Sequence, residues 1–375
     1  MIYLDYAANT PIDERVLACF MEESRLYWGN PNSKHKVGNA AKERMEEITR
    51  KLAEQMGVKA SEIIYTSGAS ESNNLALKGI AHIYRHKGKH IISTYLEHSS
   101  VSGALTSLKN QGYEIDFVDI LPNGQVDLEH LKELLRDDTI LVSICYVDSE
   151  LGVKQPVSEI AELLSQEQHC FFHVDATQAV GKVELDLEGI DLVSFSPHKF
   201  YGINGTGVLI RKEGVILEPL IHGGASTTVF RSGTPAVANA ASILCAVELA
   251  VAELVENNHA VNEQRAYLLE KLKDYPLVRI NSTKDSIDHI LNISVKGVKA
   301  SVFVQALAEV DICVSIKSAC SVDATMSRPV YAVSKDKKNA FSSFRISLSH
   351  RTKIEELDEF MKAFKICYQA LTIKK

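Results

Sequence analysis

Two residues of opposite chemistry stand where apolar runs end. CFFHV at 170–174 stops at Asp175, and LVSFS at 192–196 runs out into Pro197-His198-Lys199. Short runs rich in aromatic and branched residues read as buried strands, and the carboxyl ends of such strands form the crevice in which open α/β folds bind cofactors. An acid and an amine delivered there suit one kind of chemistry. The lysine can form a Schiff base, and the buried aspartate can keep a pyridinium nitrogen protonated so that the ring stores electrons. Taken alone, the pair also fits an ordinary ion pair at a strand end, so the neighbouring segments decide. A glycine-spaced turn at Gly202, Gly205 and Gly207 follows the lysine.

Cysteine supplies a second kind of chemistry. Six of the seven cysteines, Cys19, Cys145, Cys170, Cys245, Cys313 and Cys367, sit beside large apolar residues and read as small core hydrophobes. Cys320 lies instead in Ser318-Ala319-Cys320-Ser321, at the head of a polar stretch reaching Ser343 with few large apolar anchors. That setting suits a reactive thiol that must travel. An odd count without a CxxC pair gives no disulfide or zinc pattern, and no metal site is expected. His82 and His86 stand four apart, but Arg85, Lys87 and Lys89 around them make a basic helix end the expected reading.

The elements that position these residues alternate. A strand at 62–66 breaks into Ser67-Gly68-Ala69-Ser70, and the helix that follows is expected to carry Ser70 as its N-cap. A strand, a small-residue turn and a helix start present N–H groups suited to phosphate. Strands at 90–95, 114–118 and 139–147 alternate with helices at 100–110, 127–135 and 157–166, a rhythm that means a mostly parallel sheet covered on both faces. His98, Ser149, Asp175 and Lys199 all fall at strand ends. An alanine-rich helix is expected over 237–256, kinked at Asn257-Asn258-His259 and continuing to about 275; shorter elements beyond it suggest a smaller α+β unit.

A chain of 375 residues exceeds the size at which single cores usually split, so two domains are expected. The net charge of −7, spread over mixed-sign segments, argues against a nucleic-acid partner. No apolar run approaches a membrane span, and the first residues lack a basic region followed by a hydrophobic one, so no membrane association and a cytoplasmic location are expected.

TSGASESNNLALKG, Glu97-His98, FHVDATQAVGK, SFSPHKFYG, RSGT, SAC and SFRISLSHRT occur in one order and spacing, preceded by YLDYAANTP. In that series the chain resembles the cysteine desulfurases of the NifS and IscS kind, pyridoxal-phosphate enzymes of the class V aminotransferase family. The resemblance spans nearly the whole chain. It implies an α/β, aminotransferase-like fold with a mostly parallel seven-stranded sheet covered by helices and a smaller α+β domain. The large domain would span 15–257, and 1–14 with 258–375 would form the small one. It also implies a homodimer with shared active sites, and conversion of L-cysteine to L-alanine with sulfur left on an enzyme cysteine for a protein acceptor, an iron–sulfur scaffold or a tRNA-thiolation enzyme.

Position by position, the resemblance makes Lys199 the Schiff-base lysine, Asp175 the partner of the ring nitrogen and Gln178 a donor to the ring hydroxyl. His98 would stack on the ring and take part in proton transfer. Ala69, Ser70, Ser196 and His198 would cradle the phosphate, with Thr234 reaching in from the other subunit. Arg345 would clamp the substrate carboxylate, and Cys320 would accept the sulfur. Several positions depart from the family pattern. Asp148-Ser149-Glu150 stands where Asn-Asn-Glu is usual, so Ser149 replaces an asparagine that contacts ring and substrate. Ile316-Lys317 precedes the cysteine motif where Ser-Gly is usual, and 225–229 and 349–351 also differ. Two further readings remain open: another class V activity, such as an aminotransferase or a selenocysteine lyase, and a divergent paralogue that binds cofactor and partners with little turnover.

Overall fold

The computed structural model describes residues 1–166, 170–224, 226–317 and 326–372. The chain opens with β1 (Ile2–Tyr3) and then lays down seven strands: β2 (Ile63–Thr66), β3 (His90–Ser93), β4 (Glu114–Phe117), β5 (Thr139–Cys145), β6 (Phe171–Asp175), β7 (Leu192–Phe195) and β8 (Gly207–Arg211). These form one sheet in the order β2-β8-β7-β6-β5-β3-β4. Pairing is parallel from β7 through to β4, and β8 runs antiparallel to both of its neighbours. Because all the strands but β8 point the same way, Cys145 on β5, Asp175 on β6 and Phe195 on β7 finish on the same edge.

The alternation of side chains across the sheet sorts the interior into two cores. Ile91, Leu141, Leu192 and Leu209 join a cluster with Leu75, Ile80, Val101 and Leu105 from the helices Ala69–Tyr84 and Ser99–Lys109. Their immediate neighbours Ile92, Val142, Val193 and Ile210 face the other way, against Ile48 and Leu52 of the helix Lys36–Gln55 and Val247 of the helix Val237–Ala252. A third core gathers Leu4, Leu268, Ile293, Phe303, Phe344 and Phe364. It surrounds an antiparallel sheet of β9 (Val278–Ile280), β10 (Ile290–Val295) and β12 (Ser343–Ser347), while β11 (Ile312–Cys313) pairs in parallel with β1.

Three expectations need correcting. The alanine-rich helix ends at Ala252 and restarts at Leu254 with a bend of 65°, earlier than the expected kink at 257–259. The bend redirects the chain from one core to another, since Val247 packs in the second and Val261 in the third; that is a tertiary cause with no local signature. The stretch expected to be polar and irregular up to Ser343 holds two short helices, Arg328–Ser334 and Lys337–Ser342, capped by Ser327 and Asp336. The helix after β2 begins at Ala69, and its N-cap is Gly68, not Ser70. Among the described residues no single helix is long and apolar enough to cross a membrane.

Candidate active site

A cavity of about 400 Å³ lies where β5, β6 and β7 end, and it is lined by Ala69, Ser70, His98, Ser149, Asp175, Gln178, Ser196, His198, Lys199 and Arg345. Ten of the twelve candidate residues therefore converge. Thr234 does not line this cavity: it is exposed and borders a neighbouring cleft with Arg231 and Gly233. Cys320 lies outside the described residues.

The acid is held as an acceptor. Thr177 donates its backbone N–H to Asp175 Oδ1 at 3.0 Å, and Asn73 donates Nδ2–H to Oδ2 at 2.8 Å. Asn73, fully buried, also donates to Ser100 Oγ at 2.9 Å, which ties the helix Ala69–Tyr84 to the carboxylate. The amine sits one strand over, in a short 3-10 turn, Pro197–Lys199, that ends in a tight return. A Cβ at Gly202 would stand 2.2 Å from Pro197 Cβ, so only glycine closes that turn. Lys199 Nζ donates to the carbonyls of Ala7 and Ala8 at 3.0 and 2.5 Å, contacts that sequence reading did not anticipate.

The start of the helix Ala69–Tyr84 has no side-chain cap, which leaves its first N–H groups and the positive end of its dipole facing the cavity beside Ser70. Gly68 holds φ +151°, and a Cβ at Gly207 would lie 2.5 Å from Gly68 Cα, so the two glycines let backbone approach backbone here. Ser196 Oγ lies 2.7 Å from both the Thr206 carbonyl and His198 Nδ1. With its one proton given to the carbonyl, the hydroxyl accepts from His198 Nδ1–H. Burial, with Lys199 next in effect, pushes His198 down to about 4; an anion placed beside it would favour the charged form. His98 is also lowered, chiefly by burial. Its Nδ1 accepts the backbone N–H of Ser100 at 3.2 Å, which places the neutral ring's proton on Nε2.

At the far end stands Arg345, on β12 and only 1 % exposed. It donates through Nη2 to Asp5 Oδ1 at 2.9 Å and through Nη1 to the Ser149 carbonyl at 2.6 Å. Ser315 Oγ donates to the other oxygen of Asp5 at 2.7 Å. Ser149 thus orients the guanidinium through its backbone, whatever its side chain does, and Asp148 holds the turn by accepting the N–H groups of Glu150, Leu151 and Gly152. Asp5 belongs to YLDYAANTP, which carried part of the resemblance but no assigned role.

Pyridoxal phosphate fits these residues. Thr177 Oγ1 and Arg345 Nε line or border the cavity, are shielded from solvent and have no hydrogen-bond partner among the described residues. A polar guest would satisfy them. The cavity has the volume of a small-cofactor site, with an uncapped helix start for a phosphate, a carboxylate fixed by two donors for a ring nitrogen, and an amine within it.

A model of the aminotransferase class-V family matches residues 2–360. The chain is 40% identical over 375 residues to the cysteine desulfurase IscS of Glaesserella parasuis serovar 5, covering 97% of this chain and 92% of that one. Among solved structures, a NifS-like protein superposes with a TM-score of 0.92 at 34% identity, over 99% of this chain and 100% of the other. A structure described as SspA in complex with cysteine superposes with a TM-score of 0.81 at 29% identity, over 93% and 99%. With its central sheet, its strand-end acid and amine and nearly its whole length matched in this way, the chain belongs to the class V aminotransferase family.

Proposed function

We propose that this chain is a pyridoxal-phosphate-dependent cysteine desulfurase that converts L-cysteine to L-alanine and leaves the sulfur on Cys320 as a persulfide for a protein acceptor. The observation that carries the reading is the meeting of Asp175, Lys199 and Arg345 around one cavity, each held by hydrogen bonds that set its role. The relatives named cysteine desulfurase support the reaction, and the cysteine held by the SspA structure supports the substrate.

Bound pyridoxal phosphate supplies an electron sink next to the substrate Cα. Asp175, kept an acceptor by Asn73 and Thr177, holds the proton on the ring nitrogen. The helix start at Ala69 and Ser70, with Ser196 and His198, binds the phosphate, and Gln178 donates to the ring oxygen. Lys199 anchors the cofactor and then moves the proton at substrate Cα. Arg345 takes the substrate carboxylate with the guanidinium N–H groups that Asp5 and Ser149 leave free. His98, neutral at working pH with its proton on Nε2, exchanges a proton with the reacting groups. The Cys320 thiolate attacks the substrate sulfur; the S–S bond forms as the C–S bond breaks, and the carbon takes a proton, so cysteine plus thiol gives alanine plus persulfide.

Thr234 is exposed and away from its own chain's cavity, which supports the reading that it serves a partner's site in a homodimer. Domains at 15–257 and at 1–14 with 258–375 agree with the separate third core. A cytoplasmic location, with an iron–sulfur scaffold or tRNA-thiolation enzyme as acceptor, completes the proposal. The test is the purified protein given L-cysteine, with sulfide and alanine both measured, and the Cys320→Ala variant beside it. Equal sulfide from both proteins removes Cys320 from the reaction, and no alanine from either ends the proposal. Light scattering that returns a monomer mass would refute the dimer.

A further inference from the structure

Lys182 is a lysine buried without an evident reason. It follows Gln178 by one turn, is 8 % exposed, and the charged side chains acting on it, Lys199 and Arg345, are both cations. Burial, with those two neighbours, pushes it down to about 7. Lysines are almost never buried unless paired, and the fold would be served better by an apolar residue at this position.

What its Nζ does is donate to Gln178 Oε1 at 2.8 Å. Gln178 is itself 5 % exposed, and its Nε2 donates to the Ala7 carbonyl at 2.8 Å, the carbonyl that Lys199 Nζ also uses at 3.0 Å. Oxygen and NH2 are nearly the same size, so the amide's partners decide which way round it sits: the Ala7 carbonyl can only accept and therefore draws the NH2, and Lys182 Nζ donates to the oxygen on the other side. An ammonium offers only donors, so the amide oxygen must face Lys182 and the NH2 must face Ala7 and the cavity. One N–H goes to the carbonyl and the second remains for a guest. Lys182 does not line the main cavity, whereas Gln178 does.

We propose that Lys182 is a positioning residue: with the acceptor-only Ala7 carbonyl on the other side, its donating Nζ holds the amide of Gln178 in the one orientation that turns an N–H toward the ring oxygen of bound pyridoxal phosphate. This rests on the cofactor reading above and adds a residue to it. Gln178 and Lys199 share the Ala7 carbonyl as acceptor, so the amide that Lys182 holds and the cofactor's anchor are set by one backbone atom.

The test compares cofactor dissociation constants, read from absorbance titrations, for the parent, Lys182→Met, Gln178→Ala and the double variant. Borohydride trapping on Lys199 is run first on the parent; a parent that traps nothing there refutes the cofactor reading itself, separately from this proposal. Lys182→Met is expected to weaken binding about two- to tenfold, the worth of one neutral hydrogen bond, and to have no further effect once Gln178 is alanine. Equal weakening in both backgrounds, or none in the first, overturns the proposal. Lys182→Gln keeps an N–H for the amide oxygen and is expected to bind cofactor within about twofold of the parent. If Lys182→Met does not fold, a loss of affinity in Lys182→Gln as large as that of Gln178→Ala overturns the proposal on its own.

Discussion

Replacing Asp175 by asparagine separates the fold from the chemistry. Both atoms now facing the carboxylate are donors, Thr177 N–H at 3.0 Å and Asn73 Nδ2–H at 2.8 Å. The new amide must turn its NH2 toward one of them. Thr177 is backbone and cannot move, but Asn73 can flip, since its Oδ1 has no partner now. The flip gives up the hydrogen bond from Asn73 to Ser100 Oγ, about 1 kcal/mol, or roughly 2 °C of melting temperature in a domain of this size. The cofactor loses more. An N–H on the ring nitrogen that met a carboxylate would meet a neutral amide, forfeiting about 1.5–3 kcal/mol, or roughly 10- to 150-fold in dissociation constant. The assay is a cofactor titration by absorbance, set beside a melting curve of the cofactor-free protein. An affinity within twofold of the parent would show that Asp175 does not hold the ring nitrogen; a collapse of the cofactor-free fold would show that the donors around it cannot rearrange.

Arg345→Lys keeps the charge but loses the fork that leaves N–H groups free beside Asp5 and Ser149, so the KM for L-cysteine should rise at least about tenfold, and steady-state kinetics with an unchanged KM would count against the clamp. Cys320→Ala should end sulfide release while the cofactor's absorbance persists, which a spectrum and a sulfide assay on one sample check together. Burial pushes Glu97 from its usual 4.5 up to about 8, so the folded protein holds a proton there that the unfolded chain has released. Its contribution to stability is present at acid pH and is lost as pH rises from about 4.5 to about 8. Glu97→Gln should therefore flatten the pH dependence of the melting temperature across that window, and an identical slope in parent and variant would remove Glu97 as its source.

The strand-end pair was legible because chemistry and hydrophobic pattern coincide there: an apolar run must stop somewhere, and Asp175 and the turn carrying Lys199 are where two of them stop. Asn73, Asp5 and Lys182 carried no such mark. Each is a polar residue whose partner lies far off in sequence or on the hidden side of a turn, so its role exists only once Asp175, Arg345 or Gln178 is in place. The cap at Gly68 has a backbone cause: serine is the commoner cap by propensity, while here residue 68 takes φ +151°, a conformation that side chains rarely adopt. The bend at Glu253 was invisible because good helix formers lie on both sides of it.

Arg345, proposed to take the substrate carboxylate, and its partner Asp5 stand 340 positions apart, and Ser347 N–H donates to the Leu4 carbonyl beside them. A chain emerging from the ribosome therefore has every strand of its large sheet, and the lysine and aspartate with it, long before the arginine is made. The last stretch made also ties down the first, since Ser347 Oγ accepts the N–H of Ala7, whose carbonyl takes the N–H groups of Lys199 and Gln178; the cofactor's anchor therefore waits for the end of the chain to be set in place.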